Sequence, residues 1–263
     1  MKPYVAILRS RFLTLLQYRA AALAGIGTQL FFGFVRVMIY DGFYRSSSGP
    51  HPLTLDQVTT YIWLGQAMLL LAMLDVDKDV AAMIRTGNIA YEMTRPLDLY
   101  NLWFARAVSG RAAPLSMRAI PIFVVAGIFL ELQKPSSAGA AALFAVSLVG
   151  ALLLAASLVV LMTISLLWTV SGEGIYRLAS PLIFFFSGLV IPLPMFPDWM
   201  QQWIAVLPFR ALIDTPFRFY LGSFNTTAAV MALLHQYVWI VTLVLLGRLV
   251  LTRGLRLLAV QGG

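Results

Sequence analysis

Apolar residues in this chain come in long blocks separated by short polar interruptions, rather than alternating with polar ones at a strand's period of two. From Ser136 to Gly172 no residue is charged, and between Tyr220 and Arg248 there is no Asp, Glu, Lys or Arg and one histidine, His235. Such runs exceed the ~20 residues that cross a bilayer core of about 30 Å. The blocks predict six spans, at about 20–40, 57–74, 113–131 (or from as early as Leu102), 138–169, 177–193 and 227–249. Residues 1–19 are too short and too charged to cross. On a helical wheel Tyr4, Val5, Leu8, Phe12, Leu15 and Leu16 share a face, with Ser10, Thr14 and Gln17 roughly opposite. That pattern predicts a helix lying in the membrane interface with its arginines at the headgroups.

Composition sharpens this reading. Of 263 residues 60% are hydrophobic and 11% charged, against about 25% charged in soluble domains. A soluble fold of this make-up would expose large apolar patches. The net charge of +8 does not point to nucleic acid, because the basic residues bunch at the ends of apolar blocks rather than in a stripe. With both termini cytoplasmic, the inner segments hold Lys2, Arg9, Arg11, Arg19, Lys78, Arg85, Arg95, Arg106, Arg111, Arg118, Arg177, Arg248, Arg253 and Arg256. The outer ones keep Arg45, Lys134, Arg210 and Arg218, with Arg36 near the outer end of span 1. The positive-inside rule selects this orientation. The first block follows Arg9, Arg11 and Arg19 without a small-residue cleavage site, and reads as a retained span rather than a removed signal. There is no cysteine, so disulfides are excluded.

Catalytic chemistry is sparse. His51 and His235, the only histidines, have no partner spacing, no H-E-x-x-H metal motif is present, and no G-x-x-x-x-G-K-[ST] loop could cradle nucleotide phosphates. The acids Asp41, Asp56 and Asp75 sit at span ends, whereas ion-coupled transporters keep carboxylates or histidine at mid-membrane. No metal or cofactor is expected on this chain.

Two segments stand apart from the spans. Residues 75–101 open with alternating Asp75, Asp77 and Asp79, continue with Val80, Met83 and Ile84 at helical spacing, and turn at Gly87–Asn88 before Pro96. A short helix with Met83, Ile84 and Ile89 exposed among charges would serve as a docking knob for a soluble partner. Residues 191–222 carry five prolines and several aromatics, so they cannot form one continuous span. They read as two short helices dipping into the outer leaflet against protein, where non-spanning backbone is tolerated, or as an amphipathic hairpin lying flat.

These segments resemble the permease subunits of ABC-2 type exporters. In IRTGNIAYEMTRPLDLY, Ile84, Gly87, Ile89, Met93, Arg95 and Pro96 occupy the places of that family's I-x-x-G-x-[IL]-x-x-x-L-x-[RK]-P pattern, with Met93 for the commoner leucine. In FFFSGLVIPLPMFPDWMQQWIAVLPFRALIDTPFRFYLG, Ser187, Gly188, Pro192, Pro197, Trp199, Pro208 and Phe209 match its late segment. The resemblance covers nearly all of 1–263, read as a single transmembrane domain: an all-α polytopic membrane protein with an N-terminal interfacial helix, six transmembrane helices and a broken re-entrant outer hairpin before the last span.

The resemblance implies a bacterial cytoplasmic-membrane export protein that pairs with a second permease, the same or a related chain. Each would sit on a separate ATP-binding subunit that holds ATP and Mg. The 75–101 segment would be the coupling segment, with Ile84, Arg85, Gly87, Asn88 and Ile89 making the contact. A path between two permeases, lined by spans 1, 2 and 5, would put Phe31, Phe34, Trp63 and Phe185 near an amphipathic, lipidic or hydrophobic drug-like substrate; cations could use their ring faces. Two alternatives stay open on the residues alone. A membrane enzyme or assembly factor acting on lipids would need its acid–base pair among Asp198, Asp214, Arg210 and Arg218, and a secondary transporter would need a coupling group in the spans.

Overall fold

The computed structural model describes residues 2–47, 49–130, 132–168 and 173–261, all helix, turn or irregular chain with no strand among them. Residues 1 and 169, at the edges of the expected interfacial helix and fourth span, lie outside the described residues. In chain order the helices are α1 (Lys2–Leu15), α2 (Arg19–Ser46), α3 (Leu55–Ala67), α4 (Leu69–Ala72), α5 (Lys78–Arg85), α6 (Ile89–Met93), α7 (Leu99–Phe129), α8 (Ala138–Ser165), α9 (Glu173–Phe186), α10 (Asp198–Val206), α11 (Asp214–Tyr220) and α12 (Thr226–Gln261).

Four helices are long and apolar enough to cross a bilayer: Arg19–Ser46, Leu99–Phe129, Ala138–Ser165 and Thr226–Arg256. The other two expected spans take a different form. Residues 57–74 divide at Met68 into α3 and α4, and the block at 177–193 is the 14-residue α9, stopped after Phe186. The third span starts at Leu99 instead of near 113, because Asp98 caps it by accepting from the Asn101 amide at 2.8 Å. Arg106, Arg111 and Arg118 interrupt its apolar run without interrupting the helix, and Pro114 and Pro121 lie inside it.

Breaking a helix inside the bundle leaves carbonyls without intrahelical partners, and in lipid they must be satisfied by protein. Arginines from neighbouring helices do this. At the exit of α4, Arg111 of α7 donates to the carbonyls of Leu70 (3.1 Å), Met73 (3.0 Å) and Asp75 (3.2 Å). After α9 the chain turns at Gly188, whose φ of +91° is left-handed and whose missing Cβ would meet the Tyr61 hydroxyl at 2.7 Å. There Arg36 of α2 donates to the carbonyls of Leu189 and Val190, and the Asp214 amide donates to the Ser187 carbonyl at 3.2 Å.

Small residues let the helices approach. Gly33 of α2 lies where a Cβ would meet the Trp63 ring at 2.3 Å, so α2 packs directly on α3. Gly150 of α8 faces Gln236 of α12, whose amide nitrogen donates to the Ser147 and Ala211 carbonyls at 3.0 and 2.7 Å, while the Ser147 hydroxyl donates to its oxygen at 3.0 Å. One buried amide thus joins α8, α12 and the Pro208–Leu212 turn, with every polar atom partnered. Helix α1 packs along α7 through Tyr4, Ile7, Leu8, Arg11, Phe12 and Leu15; Val5, expected on the apolar face, is exposed, and Ile7 takes its place.

The 191–222 segment is divided as its prolines require. Its second limb, α11, is buried against α8, whereas α10 leaves Trp199 and Trp203 exposed one turn apart. Pro192 and Pro208 begin 3-10 turns, where no amide donor is needed, and Pro197 precedes α10.

Two expectations follow. Replacing Arg111 with Met strands the part-buried Leu70 carbonyl, at about 1–3 kcal/mol, and leaves those of Met73 and Asp75 at the surface; thermal unfolding in detergent should show a loss of that size, with Arg111→Lys intermediate because an ammonium lacks the fork. Gly33→Ala overpacks α2 on α3 and should destabilise by about 1–3 kcal/mol. The loss should shrink in the Gly33→Ala, Trp63→Leu double variant, as judged by the same melts.

Candidate coupling interface

The polar interruption after α4 is built around charge. Asp77 caps α5: its carboxylate accepts from the amides of Asp79 and Val80 at 3.0 and 3.2 Å, and its own amide donates to Thr163 Oγ1 of α8 at 3.3 Å. Arg11 of α1 reaches Asp77 and Asp79 at 3.2 and 3.1 Å. Arg106 of α7 contacts Asp77 at 3.5 Å, Asp79 at 3.3 Å and Glu92 at 3.0 Å. Glu92, on α6, is only 5% exposed; its second oxygen accepts from the Trp103 indole at 3.0 Å. Two arginines therefore hold both short helices onto α1 and α7. Removing one partner would leave a carboxylate buried and unpaired, which is far more costly than the pair's net worth.

A second set of contacts fixes the return of the chain. The Asp98 amide donates to the Tyr4 hydroxyl at 2.8 Å, and Arg248 of α12 donates to Asn101 at 2.6 Å while lying 5.1 Å from the Tyr100 ring centroid. The segment is thus tied to α1, α7, α8 and α12.

What it presents outward is a narrow tip. Thr86 ends α5, and Gly87 adopts φ +74° with open space where a side chain would be. Asn88 then leads into α6. Arg85, Gly87 and Asn88 are exposed, and Ile84 is half-buried. Ile89 departs from the expected exposed face: at 4% exposure it packs in the main core as the anchor of α6. The apolar surface near the tip belongs instead to Tyr91, 74% exposed, and Met93. A helix of five residues shows too little of its period for one face to be chosen in advance. Glu92, Arg106 and Arg11 were legible only as an isolated acid and as arginines at the ends of apolar blocks; their convergence depends on the fold.

The other singled-out residues are not gathered in one place. Phe31 and Phe34 are exposed on α2. Trp63 is 2% exposed and packs against Gly33 and the Phe34 ring, 5.2 Å between centroids. Phe185 is half-buried beside Phe196, at 5.5 Å. In the 191–222 segment Pro192 and Pro208 are buried, Phe209 is half-buried, and Pro197 and Trp199 are exposed. Asp214 is buried and accepts from the Tyr61 hydroxyl at 3.3 Å, while Asp198 is exposed on the other limb; they do not form an acid–base pair.

No curated protein and no solved structure matches the chain. The sequence pattern of the ABC-2 family transporter proteins matches residues 28–262, from the third turn of α2 through α12 and including the charged segment and its tip. With four helices able to cross a bilayer, this is a multi-pass membrane protein, and it belongs to the ABC-2 family transporter proteins as a permease.

Proposed function

We propose that the chain, 1–263 as a single domain, is the membrane half of an ATP-driven exporter in a bacterial cytoplasmic membrane. A separate ATP-binding subunit, holding ATP and Mg, docks on the tip formed by Ile84, Arg85, Gly87 and Asn88, with Tyr91 and Met93 beside it; Ile89 holds the tip in place from behind. The supporting observation is the Arg106 junction: one half-buried guanidinium contacts α5 and α6 together from α7. A push on the tip is thereby delivered to a helix long enough to cross the membrane, not to a loop.

In this reading α3–α4 and α9 complete six crossings together with the four long helices, both termini are cytoplasmic, and α1 lies in the inner interface. The 191–222 segment is a re-entrant hairpin in the outer leaflet. A second permease completes the path for an amphipathic, lipidic or hydrophobic drug-like substrate. Phe31 and Phe34, exposed on a helix with few buried positions, are the surfaces available to that path, and Phe185 contributes an edge. Trp63 supports it by packing.

Two measurements test this. Tagged chain purified from its native membrane should bring down a stoichiometric soluble subunit with a phosphate-binding loop, and Asn88→Trp or Tyr91→Asp should lose it while the permease melts normally. Retention of that subunit by both variants would refute docking at the tip. Arg106→Met should destabilise by about 3–5 kcal/mol through the stranded Glu92. Hydrogen exchange should rise over 78–93 first, with partial recovery in the Arg106→Met, Glu92→Gln double variant.

A further inference from the structure

At the end of the bundle away from the charged segment, a cavity of about 750 Å³ lies between the last turns of α2, the 50–52 turn and the start of the 191–222 segment. That volume is in the range of small-molecule sites, which pair apolar walls with a few placed polar groups. Its walls include Tyr40, Phe43, His51, Phe196, Asp198 and Gln201. The aromatic side is organised: the His51 ring lies 4.2 Å from Tyr44 and 5.4 Å from Phe43, between centroids.

The polar groups point to one charge type. No lysine or arginine lines the cavity. Asp198 is exposed and has no ion-pair partner among the described residues. Gln201 spends its amide nitrogen on the carbonyls of Pro194 (3.3 Å) and Phe196 (2.6 Å), so only its acceptor oxygen is left to offer. His51 Nε2 is buried without a hydrogen-bond partner. The nearest cations are occupied: Arg36, one turn before Tyr40, donates to the Leu189 and Val190 carbonyls, and Arg45 pairs with Asp41 at 2.9 Å. A carboxylate, the spare Gln201 oxygen and ring faces together suit a donor cation with an apolar body.

We propose that this cavity is a binding site for hydrophobic ammonium ions, with Asp198 as the charge partner and Tyr40, Phe43 and His51 as the aromatic wall. It deepens the exporter reading by giving the substrate a charge sign, and it is distinct from the path residues on α2 and α9. The test uses three matched fragments, 1-naphthylmethylammonium, 1-naphthylmethanol and 1-naphthoate, with the purified full chain in nanodiscs and no nucleotide.

Equilibrium dialysis should show saturable binding of the ammonium ion, weaker binding of the alcohol and none of the carboxylate. Asp198→Asn should weaken the ammonium ion about tenfold, the scale of a lost charge-assisted contact. Asp198→Glu should retain binding, and Tyr40→Leu should lose roughly threefold through the ring face. Unchanged melts of the Asp198 variants, whose side chain is exposed, would place the effect at the site. Equal affinity of wild type and Asp198→Asn, or naphthoate binding as well as the ammonium ion, would overturn the proposal. Because no ATP-binding subunit is present, a negative result leaves docking at the tip intact, and failure of docking leaves this binding result intact.

Discussion

Every irregular turn buried in this bundle must find donors for its carbonyls within the protein, because lipid offers none. Among the described residues two irregular turns, the exit of α4 and the turn after α9, are answered by an arginine on a neighbouring helix, and the Pro208–Leu212 turn by Gln236. A guanidinium suits this task better than an ammonium: it presents five donors in a fixed fork and is less strongly hydrated. Arg111 uses the fork on three carbonyls at once. The charged segment begins at one of these arginine caps and the 191–222 segment at the other.

The charged segment then follows a different physical rule. Its carboxylates are too close together to stand alone. Asp77 and Asp79 share Arg11 and Arg106, and Glu92 sits inside the protein only because Arg106 and Trp103 meet both of its oxygens. Such a junction adds less to stability than its number of contacts suggests, since desolvation offsets much of the attraction. Its value lies in geometry. Two short helices that could not be stable alone are held at a set position on α7, and the tip between them projects from a fixed base.

How much of this could be read from residues depends on the range of the interactions. Hydropathy is local, and it located the four long helices, though the start of α7 was placed late because Arg106, Arg111 and Arg118 resemble a loop when counted as charges. Those arginines are tolerated in a long helix because each has a specific backbone or carboxylate partner that lies far away in sequence; Arg111 reaches back to residues 70–75. The pattern around Gly87 marks a helix stop or turn, which a left-handed glycine makes a local requirement, but the second short helix, α6, is not legible in the alternation of Ile89, Tyr91 and Met93. Ile89 was misjudged for the complementary reason. Whether a lone isoleucine after a turn faces out or in is set by the core it meets, and here α6 turns it inward and leaves Tyr91 outside. The Gly33–Trp63 contact likewise converts an aromatic that composition alone would assign to a path into packing.

The arginine caps bear on how the bundle can move. Sliding α7 against α4 would pull Arg111 from the carbonyls of Leu70, Met73 and Asp75, so the two are held together, and with them α5 and α6 through Arg106. Helix α7 also meets α2, where Arg118 fills the space beside Gly25, and α2 in turn holds the turn after α9 through Arg36. Spatial continuity alone does not establish transmission. Here the links are cations on backbone or carboxylate oxygens, and release of the enclosed one, Arg106 on Glu92, would leave a buried carboxylate without its partner. Within the exporter reading, motion at the tip can be absorbed only where no such link exists. The exposed face of α2 that carries Phe31 and Phe34 holds none of the links described above, and it is a surface left free to change partners.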